Sequence, residues 1–380
     1  MKKKRVVIAM SGGVDSSVAA YLLKKENYDL VGMALQVTDY SKYHQEGSSG
    51  TCCSLQDMDD ARRVCESLEI PFYVINTEKT FDKNVVEYFV EDYLNGKTPN
   101  PCVMCNTRVK FNHLYRTALD LGADYVATGH FSKIVYDDHL GACLYAGDDK
   151  NKDQSYFLFN LNQEQLKRTL FPLSRLTKAE VRKIAHENDL PVAFKPESQE
   201  ICFVPNNDYA RFIQDYVKDE TRFKPGGIFS SCGKLLARHD GIHQFTIGQR
   251  KGLGEALNKA RLLGLEAEGT EKLFVQSVDS ETGSVYLAKN SDLAMTRFYL
   301  ENVNWIVPYE KINRNSLEVK IRYRSTQVPA NISYVKEKNS WLCELKVPKR
   351  AVSPGQACVF YDQEHCLGGA FIGDVLGPVL

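Results

Sequence analysis

The sequence predicts an α/β fold, a parallel Rossmann-like sheet wrapped by helices, followed by a small β-rich central region and a C-terminal β-barrel. Three observations carry that prediction. Short apolar strands alternate with amphipathic helical segments through the first two hundred residues, the pattern of a parallel sheet covered on both faces. A glycine turn, Ser11-Gly-Gly-Val-Asp-Ser-Ser17, joins the first strand to the first helix. From about Gly226 the texture changes to glycines, turns and short alternating strands, which suits a barrel. These shifts divide the chain into 1–210, 211–272 and 273–380.

Arg5-Val-Val-Ile-Ala-Met10 reads as the first strand, and Val18-Ala-Ala-Tyr-Leu-Leu23 lies in the helix behind the turn. Residues 30–37 form a second strand, 38–54 a polar loop, and 55–68 a helix by apolar spacing. Phe72-Tyr-Val-Ile75 is a third strand. Val85, Phe89 and Tyr93 recur at intervals of four in a helix over 81–94. A further helix covers 109–121, and 124–127 is a buried strand ending at Thr128-Gly-His130. Thr177-Lys-Ala-Glu180 is a capping box that opens a helix stopping before Pro191. The irregular stretch 195–205 and a short helix near 208–216 close the first domain. Residues 273–278 and 284–288 flank a turn ending in Gly283, a hairpin pattern. Leu317, Val319, Ile321 and Tyr323 alternate with Glu318, Lys320, Arg322 and Arg324. In a strand that pattern would put three cations on one surface.

The chain's 380 residues are enough for two or three domains. No apolar run approaches the ~20 residues of a membrane span. Lys2-Lys-Lys-Arg5 leads into a core strand instead of a signal-peptide core, so a cytoplasmic protein without a membrane partner is expected. Eleven cysteines then read as reduced thiols with room for a catalytic or metal-binding set. Lys plus Arg balances Asp plus Glu at 48 each, which argues against nonspecific nucleic-acid binding. Residues 311–350 nevertheless hold ten Lys and Arg against three acids. That local excess is compatible with a polyanionic partner or with a solvated β-face.

The chemistry concentrates in three places. Small residues in 11–17 let backbone amides close on a phosphate, with the next helix pointing its positive end at the same spot. The turn lacks a Gly-Lys-Ser/Thr ending, so it is not the common triphosphate loop with its own lysine. Ser-Gly-Gly-X-Asp-Ser resembles the pyrophosphatase loop of enzymes that cleave ATP between the α- and β-phosphates, the adenine nucleotide alpha hydrolase-like fold. Ligands of such sheets gather at the carboxyl ends of the strands, where this turn and Thr128–His130 both fall. The other two places are Asn100-Pro-Cys102-Val-Met-Cys105 and Glu197-Ser-Gln-Glu-Ile-Cys202. Cysteines in polar, proline-rich segments are accessible, and Cys105 precedes a helical pattern bearing Arg108 and Lys110, an environment that favours a thiolate. A lone C-x-x-C could be half of a zinc site, but no second pair stands at zinc spacing.

Six ordered motifs form a resemblance that spans the chain: the 11–17 turn, Asn100-Pro-Cys-Val-Met-Cys-Asn106, Ala127-Thr-Gly-His130, Lys152-Asp-Gln-Ser-Tyr-Phe-Leu158, Glu197 to Pro205, and Phe245-Thr-Ile-Gly-Gln-Arg-Lys-Gly-Leu-Gly254. Together they resemble the tRNA-specific 2-thiouridylases, which replace the C2 oxygen of wobble uridine 34 with sulfur in tRNAs for lysine, glutamate and glutamine. The resemblance implies ATP, with Mg²⁺ on its phosphates, at Ala9, Met10, Ser11, Gly12, Gly13, Val14, Asp15, Ser16, Leu35 and Gly129. Asp15 is counted with the catalytic residues. It implies that Cys202 carries a persulfide and that Cys105 attacks it, leaving a Cys105–Cys202 disulfide. Asn100, Pro101 and Cys102 align with the segment that touches the target base. His130, Lys152, Asp153, Gln154, Arg322, Tyr323 and Gln356 match tRNA contacts, the partner being the anticodon stem-loop. A cysteine desulfurase or a sulfur-relay protein would be the donor.

One departure matters. The best-known members carry an Asp with an acid–base role where this chain has Cys102, though other relatives have cysteine there. Cys102, Cys105 and Cys202 therefore make a three-cysteine set that could instead hold a [4Fe–4S] cluster. A pyrophosphatase-loop ligase or amidotransferase acting on a small metabolite would explain the turn but not the cysteines. A non-catalytic RNA-binding protein would explain the basic region but not the turn. Several features read as structural: Cys65 in a helix, and Cys143, Cys343 and Cys358 in strand-like runs. His113, His186, His239 and His243 show no ligand spacing, and Tyr88, Phe89 and Tyr93 read as core. Cys232 and Cys366 fall in loop-like stretches, and the Cys52–Cys53 pair reads as incidental.

Overall fold

Val6 and Ile8 point to one face of the first strand and Val7 to the other, and that alternation sorts the whole first domain. The computed structural model describes residues 3–37, 55–197, 201–266 and 272–376. The polar loop at 38–54, with Cys52–Cys53, lies outside the described residues. Strands β1 (Arg5–Ala9), β2 (Asp29–Gln36), β3 (Phe72–Asn76), β4 (Tyr125–Ala127) and β7 (Thr169–Leu170) form a sheet of order β3-β2-β1-β4-β7, and every pairing is parallel. On one face Val6 and Ile8 pack with Val18, Ala19 and Leu23 of α1 (Val14–Lys25), with Ala61 and Val64 of α2 (Leu55–Ser67), and with Val181 and Ala185. On the other face Val7, Met33 and Leu35 pack with Phe81, Phe89, Val109 and Leu114. Cys65 is fully buried beneath Gly32, where a Cβ would stand 2.5 Å from its sulfur.

Two long helices cover that second face. Helix α3 runs 78–94, and α4 runs 101–120. The start of α4 corrects the expected one at 109. Asn100 caps it by accepting from the Val103 amide at 3.3 Å, and Pro101 occupies the first helical position, where its missing N–H costs nothing. The helix winds with i→i+5 bonds over Cys105–Leu114, a widening that recurs at functional sites. Helix α5 (Lys178–Glu187) opens with the expected capping box, Thr177 and Glu180 exchanging both bonds. Helix α6 (Tyr209–Tyr216) is capped by Asp208.

The middle unit is a four-stranded sheet of order β10-β11-β8-β9, from β8 (Gly226–Ser230), β9 (Leu235–His239), β10 (Leu273–Asp279) and β11 (Ser284–Lys289). Helix α7 (Gly254–Leu262) packs Ala256, Leu257 and Ala260 onto it. The expected β10–β11 hairpin is present and antiparallel. β11 also pairs with β8, so this hairpin belongs to the middle sheet and not to the C-terminal barrel that the 272/273 division would give it to. The barrel follows as β12 (Ala294–Trp305), β13 (Leu317–Lys320), β14 (Val328–Val335), β15 (Ser340–Arg350), β16 (Ala357–Asp362) and β17 (His365–Leu376). It closes through β12–β17 pairing, which leaves it no edge between those two strands. A hairpin of the first domain, β5 (Ser132–Asp137) and β6 (Gly141–Ala146), adds to β17 through His365↔Tyr145 and Cys366↔Leu144. First domain and barrel thus share one hydrogen-bonded sheet.

Two readings of this half are corrected. Cys366, expected in a loop, is on β17 and fully buried. The basic strand ends at Lys320, because the chain turns there, the Ser325 amide bonding the Arg322 carbonyl. Lys320 lies over the Tyr156 and Tyr323 rings, and Arg322 donates to the Ala351 carbonyl. Among the alternating cations only Arg324 is exposed.

His239 and His243 are buried in the middle unit, as expected of structural histidines. Neither ring nitrogen of His243 finds a partner among the described residues, and burial pushes its imidazole down to about 4. The unfolded chain, with an ordinary value near 6.5, therefore binds a proton that the native state refuses. Stability falls as pH drops through the window from about 6.5 to about 4. Urea midpoints should show His243→Phe as stable as wild type at pH 7. At pH 5 the variant should be more stable by about 1–2 kcal/mol, and equal pH profiles would count against this account.

Candidate active site

The glycine turn is fixed by contacts that leave no room for side chains. Gly12 has φ of +69°, and a Cβ there would stand 2.0 Å from the Asp57 carbonyl oxygen of α2. Gly13 precedes α1, and no side chain caps that helix. Its first amides are therefore offered to an anion. Ser16 and Ser17 turn their hydroxyls back to the Gly13 carbonyl at 3.1 and 2.9 Å, and the Ser11 amide donates to Ser16 Oγ at 3.2 Å. From the far side of β1, Gly129 comes so close that a Cβ would lie 2.7 Å from the Ser16 nitrogen. Met10 is buried, its amide bonding the Met33 carbonyl at 2.8 Å. Leu35 is buried on the α3 face of the sheet, with Ala9 packed against the same cluster.

Around the turn lies a charged cluster. Lys178, first residue of α5, stands 2.5 Å from Asp15 Oδ1 and 3.2 Å from Glu197 Oε1. Glu197 also meets Lys152 at 2.7 Å and Arg182 at 3.8 Å. Burial pushes the Asp15 carboxyl up from its ordinary range, against the opposing pull of Lys178. For Glu197 the bonded lysines outweigh burial and hold it down. Lys195, two residues earlier, joins Asp57 and Asp60 of α2 at 2.6 and 2.5 Å. Both ends of the Lys195-Pro-Glu197 segment are thereby tied to the nucleotide side of the sheet.

The cysteines come from two other segments. Cys102 is exposed in the first turn of α4, while Cys105, one turn on, is half-buried. The expectation that Cys105 precedes a helix is corrected by the earlier start of α4, which gives the helix N-terminus to Cys102. Cys202 is half-buried, and Cys105 and Cys202 both pack against the cluster holding Phe81, Phe89, Phe203 and Val204. Residues 198–200 lie outside the described residues.

The positions matched to tRNA contacts divide. His130 is half-buried, with Nδ1 2.7 Å from Thr128 Oγ1. Burial, then Lys110, hold its imidazole well below its ordinary range, so it is neutral. Asn100 and Pro101 are buried in the α4 cap. Asp153 is buried, its carboxylate accepting from the Ser155 amide and hydroxyl at 2.9 and 3.0 Å. Gln154 accepts from the Phe131 amide at 3.0 Å. Tyr323 packs 4.5 Å from the Phe157 ring centroid. Gln356 donates to the Thr98 and Pro99 carbonyls at 3.0 and 3.2 Å. Most of these side chains hold the protein's own loops.

Sequence reasoning missed Lys178, Arg182 and Lys195. The available signal was Lys178 and Arg182 at i, i+4, one face of a helix already recognised by its capping box. Among the described residues no group of three or more His, Cys, Asp or Glu is placed to hold a metal ion, and no helix is long and apolar enough to cross a membrane.

An uncapped helix behind a glycine turn at the carboxyl end of a parallel sheet, with Lys178 and Lys195 beside it, is the arrangement of an α/β nucleotide-binding domain. The chain matches the family models described as tRNA methyl transferase HUP domain over residues 4–206, PRC-barrel domain over 212–289 and aminomethyltransferase β-barrel domain over 295–372. It is 45% identical over 374 residues to the tRNA-specific 2-thiouridylase MnmA of Geobacter metallireducens, covering 97% of each chain. It is 46% identical to that of Geotalea uraniireducens, covering 98% of this chain and 95% of the relative. The chain belongs to the tRNA-specific 2-thiouridylase family, and its activity is tRNA thiolation.

Gly129→Ala tests the close approach. Overpacking of about 1–3 kcal/mol should weaken nucleotide binding by roughly fivefold or more and leave tRNA affinity unchanged in filter binding. Unaltered nucleotide affinity would show that the turn tolerates the extra carbon.

Proposed function

We propose that the protein is an ATP-dependent tRNA-uridine 2-sulfurtransferase that uses a cysteine persulfide, acting on uridine 34 of tRNAs for lysine, glutamate and glutamine in the cytoplasm. The observation that carries the reading is the packing of Cys105 and Cys202, nearly a hundred residues apart, against one apolar cluster on the sheet that bears the glycine turn.

A uridine C2 carbonyl is amide-like, and oxide is a poor leaving group. In the proposed sequence the C2 oxygen attacks the α-phosphorus of ATP, forming a C2–O–P bond and releasing pyrophosphate. The terminal sulfur of the Cys202 persulfide then attacks C2, and AMP leaves with the former carbonyl oxygen. Cys105 thiolate attacks Cys202 Sγ, the S–S bond to the base breaks, and sulfur remains on C2. The Cys105–Cys202 disulfide that results needs a reducing thiol before the next round. The uncapped amides of α1 would hold the departing pyrophosphate. The half-buried setting favours sulfur attack over hydrolysis by limiting water. Uridine 34 must leave its stack to reach both centres. The sulfur would arrive from a cysteine desulfurase or a relay protein.

Mg²⁺ would offset charge on the triphosphate. The carboxylates at the turn are committed to cations, Asp15 to Lys178 and Glu197 to Lys152 and Lys178, so they do not form a ready metal site. The iron–sulfur alternative asks Cys102, Cys105 and Cys202 to act as one ligand set, and the described residues offer no such grouping.

With persulfide donor and tRNA, purified protein should convert ATP to AMP and pyrophosphate only when tRNA is present. Cys202→Ser and Cys105→Ser should each abolish 2-thiouridine, read by nucleoside mass spectrometry, with tRNA binding nearly intact. Full thiolation by either variant would remove that cysteine from the mechanism. AMP formation with a free amino acid or ammonia in place of tRNA would move the assignment to a ligase.

A further inference from the structure

We propose that Tyr209 is a positioning residue for Cys202, set in place by Gln249 of the Phe245–Gly254 motif; the proposal rests on the persulfide reading above. That motif lies in the middle unit, outside the glycine turn and both cysteine segments. It folds around Gln249, whose Oε1 accepts from the Thr246 amide at 2.8 Å and whose Nε2 donates to the Gln244 and Lys251 carbonyls at 3.1 and 2.9 Å. Backbone bonds from Gly248 to Val275 and from Val275 to Gln249, at 2.7 and 2.9 Å, fix the loop to β10. From the start of α6 the Tyr209 hydroxyl donates into this loop, 3.2 Å from the Gln244 carbonyl and 3.3 Å from Gln249 Oε1. Its ring stacks on Tyr93 of α3, with centroids 4.6 Å apart.

Between Cys202 and Tyr209 the chain is buried at Phe203 and Val204, then exposed from Pro205 to Asp208. Asn206 and Asn207 both take positive φ, +55° and +57°, a left-handed reversal that asparagine tolerates. An exposed link makes few apolar contacts, so its two ends decide where it runs. Tyr209 is one end. Phe203, directly after Cys202, is the other, and α6 reaches it as well. Phe212, on the same face of α6 as Tyr209, packs on Phe203 with centroids 5.4 Å apart. Phe203 meets Phe89 edge-on at 5.2 Å, and Phe89 meets Tyr93 at 5.0 Å. Rings therefore run from the tyrosine stack to the residue beside Cys202. The hydroxyl adds direction to that packing, because a hydrogen bond tolerates less misalignment than an aromatic contact does. At its far end α6 is tied to α3, Tyr216 donating to Asp82 Oδ1 at 3.2 Å. Tyr209 is the point at which the middle unit sets the pose of the helix behind Cys202.

The test uses full-length protein carrying the Cys202 persulfide, mixed with ATP and tRNA for a single turnover. Pyrophosphate release reports adenylation, which does not use Cys202, and 2-thiouridine reports sulfur transfer. Tyr209→Phe keeps the ring and removes the hydroxyl. It should slow 2-thiouridine formation by about fivefold, with pyrophosphate release and tRNA affinity unchanged. Gln249→Met should show the same split, and the double variant should be no slower than the slower single one. Equal slowing of both readouts would mark Tyr209 as a structural strut, and unchanged 2-thiouridine formation would leave its hydroxyl no role; either result overturns the proposal. Additive losses in the double variant would overturn the part given to Gln249. Tyr209→Phe still decides if Gln249→Met does not fold. Wild-type protein that releases pyrophosphate but transfers no sulfur from Cys202 would instead defeat the persulfide reading itself, a result distinct from the other outcomes.

Discussion

The structure depends on backbone approaching backbone at the start of α1. Two glycines permit it. Gly12 lies against the Asp57 carbonyl of α2, and Gly129 lies against Asp15 and Ser16. With any side chain at either position, α2 or the loop after β4 would have to retreat by an ångström or more. The amides of α1 would then face an open surface instead of a cleft walled on two sides. Preorganised donors are effective because they need not reorient when charge arrives. Close packing by glycine supplies that rigidity, together with the buried Ser16 and Ser17 hydroxyls that donate to the Gly13 carbonyl.

The same logic of one element holding another extends to the barrel. The segment before α4 passes beneath Ser353-Pro-Gly-Gln356. There Thr98 donates to the Pro354 carbonyl at 2.7 Å, and Gln356 returns two bonds to Thr98 and Pro99. Lys97 pairs with Glu301 of β12 at 3.1 Å. Tyr156 reaches the Ala357 carbonyl at 2.9 Å, and the β5–β6 hairpin adds to β17. The barrel is therefore part of the scaffold that sets where Asn100, Pro101 and Cys102 stand, whatever it also contributes to tRNA binding. Alteration at Gln356 acts on the segment leading to Asn100 through the Thr98 and Pro99 carbonyls.

The fold class was legible in the sequence because each parallel strand is short, apolar and followed by a helix with its own spacing. The turn was legible because strand, Ser-Gly-Gly-Val-Asp-Ser loop and apolar helix stand in order, where a glycine turn alone is usually only a turn. The start of α4 was not, since Asn100-Pro-Cys102 reads equally as an open proline loop and as a cap with proline in the first turn. Only the Asn100 to Val103 bond separates them. The β5–β6 hairpin was missed because its partner, β17, lies more than two hundred residues away and no local pattern reports such a pairing. Lys178 was seen as part of a capping box, a local feature, while its contacts to Asp15 and Glu197 exist only once α5 packs on α1. The supposed basic strand failed for a related reason. Alternation persisted past the point where the chain turned, and period-two patterning cannot mark a strand's end.

Cations expected to face tRNA are largely engaged inside the protein. Lys152 holds Glu197, Arg322 holds the Ala351 carbonyl, and Lys320 lies over two tyrosine rings. A zero net charge fits a protein that does not rely on a broad positive surface. Recruiting Lys152 to a phosphate would trade one charge-assisted bond for another, at small net gain in affinity. It would, however, release Glu197, the residue that also touches Lys178 at the nucleotide turn. An anion drawn to Lys152 would thus be felt beside Asp15 through an exchange of ion-pair partners. Two ligands that draw on one carboxylate's partners must affect each other's binding equally, as linkage requires.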